Sequence, residues 1–161
     1  MSDVKKICFV CLGNIVRSPL AENLFRKMAN EAGVGHQYEV DSAGTSDWHV
    51  GEVPDMRMRR VAAEHGLKYE GQARRFTDDD FDDFDLIVAM DVENRDFLRM
   101  QTNHPKEQAK VRLLREFDPL GGPFSSVPDP YYGGMDGFEE VYQVIESSCR
   151  GLLEALEQGQ I

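Results

Sequence analysis

The chain opens with a strand, a short loop and a helix, and this order constrains its fold more than any other feature. An apolar run rich in strand-forming residues extends from Val4 to Val10 and ends shortly before Gly13. Apolar residues then recur at helical spacing, and Ser18 and Pro19 open that helix as a capping residue and a first-turn proline. A strand followed at once by a helix is typical of a parallel sheet.

The rest of the chain continues the alternation of strands and helices. Further strands are predicted at residues 38–43, 86–90 and 111–114, and further helices at residues 54–66, 92–102 and 138–156. Residues 118–137 are rich in proline and glycine and predict a long loop. We therefore predict an α/β fold, a parallel sheet with helices on both faces and ligands at the carboxyl ends of its strands.

Length and charge exclude several classes of protein. With 161 residues, we expect residues 1-161 to form a single domain. The net charge of -11 repels polyanions and acidic membrane surfaces, so neither nucleic acid nor a membrane is an expected partner. The chain has no apolar run of signal-peptide or membrane-spanning length, and its three cysteines are too sparse for a disulfide framework. We expect a cytoplasmic protein with reduced thiols.

An acidic run at residues 78–85 invites a calcium interpretation, which fails on spacing. An EF-hand loop starting at Asp78 would need Gly at the position of Asp83 and Glu at that of Ala89. We predict a solvated, capped turn there, with Phe81 and Phe84 anchoring it in the core. The four histidines show no metal-ligand spacing, so no metal is predicted.

The loop between the first strand and the first helix is the most informative segment. A loop that ends at a helix amino terminus points backbone N–H groups inward and adds the positive end of the helix dipole, so it binds anions. Here it lacks the pattern of a Walker loop or a dinucleotide site. Gly13 suits a tight turn, and Asn14 tolerates a left-handed conformation. The predicted phosphate-binding loop consists of Leu12, Gly13, Asn14, Ile15, Val16, Arg17 and Ser18.

The groups at the two ends of this loop suit phosphoryl transfer. A cysteine attacks as a thiolate, and the helix dipole, the Arg17 guanidinium and the Ser18 hydroxyl favour that form of Cys11. The planar fork of Arg17 can hold two equatorial phosphoryl oxygens at once. The departing oxygen also needs a proton, and Asp129, between two prolines in the long loop, is a candidate general acid.

The other two cysteines have a simpler interpretation. Cys8 and Cys11 have the spacing of a thioredoxin-type pair, but such a pair stands at a helix start, whereas Cys8 lies within a predicted strand. We interpret Cys8 and Cys149 as core residues.

The chain resembles the low-molecular-weight protein tyrosine phosphatase family. Besides residues 11–18, the resemblance rests on residues 41–48, 90–91 and 129–132. It implies a four-stranded parallel twisted sheet with the phosphate-binding loop between the first strand and the first helix. It also implies hydrolysis of phosphotyrosine in proteins or peptides, and of small aryl phosphates, through a phosphocysteine intermediate without a cofactor. Phosphate-like anions would act as inhibitors.

The resemblance also implies a role for each site residue. Cys11 is the nucleophile, Arg17 the phosphate clamp, Ser18 the donor to the thiolate and Asp129 the general acid. Asn14 and Ser42 brace the loop, and Trp48, Tyr131 and Tyr132 wall the substrate cleft. Asp91 either supports the loop or caps the helix that follows the third strand. Two positions depart from the family pattern. Val16 stands where a second loop cysteine is usual, and a family histidine has no certain counterpart among His65, Tyr69 and Gly71.

Three other functions compete with this interpretation. A phosphotyrosine-binding module would keep the loop without turnover, but the presence of a nucleophile, a clamp and an acid argues against it. Arginine phosphatases resemble this loop but tend to carry threonine at the position of Ile15. Arsenate reductases of the same fold need further cysteines near the third strand, and this chain has none between Cys11 and Cys149.

Overall fold

The computed structural model describes residues 4–122, 125–131 and 133–161. Its four strands are β1 (Lys5–Cys11), β2 (Tyr38–Gly44), β3 (Leu86–Ala89) and β4 (Val111–Leu113). They form one parallel sheet in the order β2-β1-β3-β4, which confirms the predicted four-stranded parallel sheet.

Helices connect the strands and close the chain. They are α1 (Arg17–Glu31), α2 (Met56–Glu64), α3 (Asp80–Asp83), α4 (Val92–Met100), α5 (Pro105–Ala109) and α6 (Met135–Glu157), with 3₁₀ turns at Gly35–Gln37 and Leu114–Phe117. Among the described residues, no helix is both long and apolar enough to cross a membrane.

The central strand β1 divides the core into two layers, because successive side chains of a strand point to opposite faces. Ile7, Phe9 and Cys11 belong to a cluster that includes buried residues of α1, α2 and α6. Cys8 and Val10 belong to a second cluster with residues of α3 and α4. Helices therefore cover both faces of the sheet, as predicted.

The start of α1 differs from the prediction. The helix begins at Arg17, with Val16 as its N-cap residue and no side-chain cap, so Ser18 is not the cap. Its hydroxyl is engaged in the loop instead, where it accepts a hydrogen bond from Asn14 Nδ2 at 2.8 Å. Pro19 still lies in the first turn, where a missing N–H removes no intrahelical bond.

The acidic run contains a helical turn, α3, and one of its carboxylates is buried. Asp80 pairs with Arg74 at 3.0 Å and accepts a hydrogen bond from the Thr77 N–H at 2.7 Å, so the prediction of a wholly solvated turn is wrong there. Phe81 is buried and Phe84 packs against the same cluster, which confirms both as anchors. The sequence pattern does not indicate the short helix α5, since this helix has no buried residues and therefore no apolar periodicity.

Candidate active site

The loop from Leu12 to Val16 lies at the carboxyl end of the sheet, between β1 and α1. The end of β2 approaches it so closely that a Cβ on Gly44 would lie 2.7 Å from the Leu12 carbonyl oxygen. Beyond Gly44, the N–H groups of Thr45 and Ser46 donate to the carbonyls of Cys11 and Leu12, at 2.9 and 3.0 Å. A glycine at position 44 therefore allows β2 to hold the loop from outside.

Cys11 is buried at the start of the loop, and polar groups surround its sulfur. Sγ lies 3.0 Å from Ser18 Oγ, and the Asn14 N–H donates to it at 3.3 Å. Asn14 adopts a φ of 58°, the left-handed conformation predicted for it. Its side chain donates to Ser18 Oγ and accepts from the Arg74 N–H at 2.9 Å, so it fixes the loop at two points.

Arg17 closes the loop with a guanidinium that is only 4% exposed. Nη1 donates to Asp91 Oδ2 at 2.8 Å and to the Val127 carbonyl at 2.9 Å. Burial alone would lower the pKa of Arg17, but the charges of Cys11 and Asp91 and the hydrogen bond to Asp91 outweigh it and raise that pKa. Arg17 is thus a permanent cation with a fixed orientation.

Asp91 has both of the roles weighed for it from sequence. While Oδ2 accepts from Arg17, Oδ1 accepts from the Asn94 N–H at 2.7 Å and caps the amino terminus of α4. The same carboxylate thus joins the loop arginine to the helix that follows β3.

Asp129 reaches the same place from the long loop before α6. Its Oδ2 lies 3.6 Å from Arg17 Nη2, and its Oδ1 accepts from the Tyr131 N–H at 3.0 Å. The side chain is 44% exposed, so it is open to a substrate and to water. The segment is anchored two residues earlier, where the Val127 N–H donates to the Met90 carbonyl at 2.8 Å.

A cleft above Cys11 joins most of the predicted site residues. It is lined by Cys11, Leu12, Gly13, Ile15, Val16, Arg17, Trp48, His49, Asp129 and Tyr131. Trp48 stands at its mouth, with 71% of the residue exposed. Tyr132, also predicted to wall the cleft, lies outside the described residues.

Two details of the site differ from the sequence analysis. Ser42 Oγ donates to Glu22 of α1 at 2.7 Å, and in the described part of the chain it makes no hydrogen bond with Asn14. His49 lines the cleft although nothing in its sequence spacing marked it. A Cβ on Gly13 would lie 3.0 Å from His49 Cδ2, so Gly13 makes room for this ring.

The described residues contain no group of three or more His, Cys, Asp or Glu side chains that could hold a metal ion. The cleft itself offers three chemically useful groups: the buried thiol of Cys11, the fixed guanidinium of Arg17 and the accessible carboxylate of Asp129.

Comparison with known proteins agrees with this geometry. The model of the family described as low molecular weight phosphotyrosine protein phosphatase matches residues 6–160. A low molecular weight protein-tyrosine-phosphatase of Streptomyces coelicolor is 47% identical over 95% of this chain and 94% of its own. A crystal structure of a protein tyrosine phosphatase from Entamoeba histolytica, with Hepes in the active site, has a TM-score of 0.93 and 37% identity. That match covers 98% of this chain and 99% of the Entamoeba chain.

A crystal structure of a Drosophila arginine phosphatase is also similar, with a TM-score of 0.85 and 33% identity over 94% of this chain and 98% of its own. Fold, site and relatives together define an enzyme of the protein tyrosine phosphatase class. The chain belongs to the low molecular weight phosphotyrosine protein phosphatase family.

Proposed function

We propose that the protein hydrolyses phosphotyrosine in proteins or peptides through a phosphocysteine intermediate formed on Cys11. The convergence of three groups on one cleft carries this proposal. The Cys11 sulfur lies among donors, the Arg17 guanidinium stands at the other end of the loop, and the Asp129 carboxylate lies 3.6 Å from that guanidinium.

In the first step, the Cys11 thiolate attacks phosphorus and a sulfur–phosphorus bond forms. The bond from phosphorus to the phenolic oxygen breaks, and protonated Asp129 gives its proton to that oxygen. Arg17 binds two equatorial oxygens of the transferring group, whose charge it stabilises. Ser18 Oγ and the Asn14 N–H stabilise the thiolate before the attack.

In the second step, water attacks the phosphocysteine, the sulfur–phosphorus bond breaks and inorganic phosphate leaves. Asp129, now a carboxylate, takes the proton of the attacking water. The exposure of this side chain supports both proton transfers, because substrate and water must each reach it.

The walls of the cleft support an aromatic substrate. Trp48 and Tyr131 flank the opening, with the thiol buried below them. A short alkyl phosphate, such as that of serine, would stay too far from Cys11. Phosphate-like anions should compete for the loop. Hepes, a buffer that carries a sulfonate, lies in the active site of the Entamoeba relative, which supports that expectation.

Two further expectations stay proposals. The family match over residues 6–160 supports one phosphatase domain spanning residues 1-161. The three unpaired cysteines, Cys8, Cys11 and Cys149, support a reducing, cytoplasmic setting.

Turnover and trapping of the intermediate test the mechanism. We expect wild-type protein to hydrolyse an aryl phosphate and to give a phosphoprotein, on rapid acid quench, whose label maps to Cys11. Cys11→Ser should abolish both turnover and labelling, and Arg17→Lys should abolish turnover. Cys149→Ser should behave as wild type, because Cys149 packs in α6, against Ala21 of α1.

Two outcomes would overturn the proposal. Tight anion binding without turnover by the wild type would identify a binding module instead. Faster release of phosphate from a phosphoarginine peptide than from the matched phosphotyrosine peptide would show that this protein is an arginine phosphatase, as the Drosophila relative is named.

A further inference from the structure

The carbonyl groups of Cys11 and of the phosphate-binding loop that follows it are held from outside the loop. Four of these carbonyls accept hydrogen bonds: Cys11 from the Thr45 N–H (2.9 Å), Leu12 from the Ser46 N–H (3.0 Å), Ile15 from the Asp55 N–H (2.7 Å) and Val16 from the Tyr69 hydroxyl (2.9 Å). The first three donors are backbone groups. The fourth belongs to a side chain that is distant in sequence.

The orientation of each carbonyl determines that of the next N–H. A trans peptide is planar, and its C=O and N–H point in opposite directions. A donor that holds the Val16 carbonyl outward therefore turns the Arg17 N–H inward, towards the anion site. In the same way, a donor on the Ile15 carbonyl orients the Val16 N–H.

Tyr69 contacts both of these carbonyls. Its hydroxyl donates to Val16 at 2.9 Å and lies 3.4 Å from the Ile15 oxygen. As the N-cap residue of α1, Val16 uses its carbonyl for the first intrahelical bond, and the second lone pair of that oxygen accepts the hydroxyl.

The surroundings of Tyr69 keep its hydroxyl in place and protonated. The half-buried ring packs against the core cluster that contains Ile15, Val16 and Cys11. Burial, and secondarily the charge of Cys11, raises the pKa of Tyr69 well above its usual value. The hydroxyl therefore stays protonated, and remains a hydrogen-bond donor, at any pH at which a cysteine phosphatase is active.

We propose that Tyr69 is a positioning residue of the phosphate-binding loop. Its hydroxyl fixes the Val16–Arg17 peptide so that the Arg17 N–H faces the equatorial oxygens of the phosphoryl group. The Asp55 N–H does the same for the Ile15–Val16 peptide. The effect of Tyr69 on catalysis rests on the function proposed above, whereas its effect on anion binding does not. Because the three oxygens lie in one plane only in the transition state, N–H groups held to match that plane should contribute more there than to ground-state binding.

Tyr69→Phe tests this role, because it keeps the ring and removes only the hydroxyl. The loss of one neutral hydrogen bond predicts a fall in kcat/KM of roughly three- to tenfold, mainly in kcat. Vanadate, which adopts the trigonal bipyramidal geometry of the transition state, should lose affinity by a similar factor in calorimetric titration. Inorganic phosphate should lose less.

Tyr38→Phe is the matched control. It also removes a hydroxyl, one that donates to Glu157, but Tyr38 starts β2 at the end of the sheet opposite the loop. We expect this variant to bind vanadate as the wild type does. Both variants are titrated well below the lower of their melting temperatures, so that a loss of stability does not affect the comparison.

Three results would overturn the assignment. They are an unchanged vanadate affinity in Tyr69→Phe, an equal loss in Tyr38→Phe, and a wild-type protein that binds no vanadate. If the wild type binds vanadate but hydrolyses no aryl phosphate, and Tyr69→Phe binds it more weakly, the positioning role stands while the proposed function fails.

Discussion

Asp129 occupies a position from which one carboxyl group can serve both proton transfers. An Asn at this position keeps the side-chain oxygen that accepts from the Tyr131 N–H, so Asp129→Asn removes the acid with little change to the loop. We expect a loss of about 10²- to 10⁴-fold in kcat/KM, which reports the first step, with phosphotyrosine or phenyl phosphate, whose leaving groups need a proton. With an acidic dinitrophenol as leaving group the loss of kcat/KM should be small.

The comparison of leaving groups is the decisive measurement. Asp136→Asn serves as the control, since Asp136 is an exposed carboxylate in the first turn of α6. An equal loss across all leaving groups would assign Asp129 to loop structure and would contradict its role as the acid.

Oxidation of Cys11 should be difficult to reverse in this chain. A second thiol can rescue a sulfenic acid by closing a disulfide, but Val16 stands where such a thiol is usual in the family. Cys8 cannot substitute for it, because Cys8 and Cys11 face opposite sides of the sheet. Their Cα atoms are about 10 Å apart at three strand residues, beyond the reach of about 7 Å for a disulfide. Burial also raises the pKa of the Cys8 thiol well above its usual value.

We therefore expect peroxide to inactivate the enzyme in a way that dithiothreitol reverses poorly, and Val16→Cys to improve recovery. Activity after peroxide and then reductant, followed over time, measures this. The hypothesis would be wrong if the wild type recovered fully and peptide mass spectrometry found a Cys8–Cys11 disulfide.

At the scale of elements, the start of α2 links helix stability to the active site. Asp55 caps this helix by accepting from the Arg57 N–H at 2.8 Å, while its own N–H donates to Ile15 in the loop. Its carboxylate also pairs with the Arg57 guanidinium. Burial alone would raise the pKa of Asp55. The hydrogen bonds from Arg57 lower that pKa by a larger amount, so the net shift is downward.

A lowered pKa in the folded state gives a stability contribution that is present above the unfolded value of about 3.9 and disappears as the pH falls through the folded value. Asp55→Ala should therefore cost about 1 kcal/mol of unfolding free energy near neutral pH. The difference from wild type should shrink as the pH falls through the lowered pKa of Asp55. Urea unfolding over a series of pH values from neutral downward measures this, with Asp55→Asn, which can still cap, as the control. A penalty that is independent of pH would contradict the assignment.

The elements that could be predicted from sequence are those whose pattern is local and repeated. The apolar run before Cys11 and the buried run at residues 86–90 can only pack as inner strands, and both do so as β1 and β3. Local rules predict a cap at Ser18, because they apply to any serine before a proline. In the structure, the Ser18 hydroxyl contacts Cys11 Sγ and Asn14 Nδ2 instead, and a rule for helix caps does not predict these contacts.

At the scale of the whole molecule, the negative charge acts on substrates before they reach the cleft. The net charge of -11 should slow the approach of acidic phosphopeptides and speed that of basic ones. Raising the salt from about 0.01 to 0.1 M shortens the screening length from about 30 to 10 Å.

Over that range, kcat/KM should rise about two- to fivefold for a phosphotyrosine peptide with acidic flanks and fall for a matched peptide with basic flanks. Sodium chloride is the suitable salt, since sulfate resembles phosphate. An identical salt response of the two peptides would show that groups near the cleft, rather than the overall field, govern encounter.

The site as a whole depends on contacts that sequence spacing cannot supply. Cys11 and Arg17 are close in the chain, so their pairing could be predicted. The bond from Arg17 to the Val127 carbonyl spans 110 residues, and the position of Tyr69 against Val16 spans 53. Such pairs follow only from the packing of the helices and loops on the sheet. The place of Asp129 between two prolines of the long loop therefore makes it only a candidate acid, and the resemblance to a family implies that role.

The anchoring of Val127 has a consequence for the acid role proposed for Asp129. Val127 is fixed to Met90 and to Arg17 by hydrogen bonds. Asp129 follows this fixed point by two residues, a segment of about 7 Å when extended. A carboxyl group confined to a sphere of that radius has a local concentration of about 1 M. Since this concentration falls with the cube of the radius, a segment twice as long would lower the local concentration of the carboxyl group about eightfold. The length of the short stretch before Asp129 thus sets how often the proposed acid meets the departing oxygen.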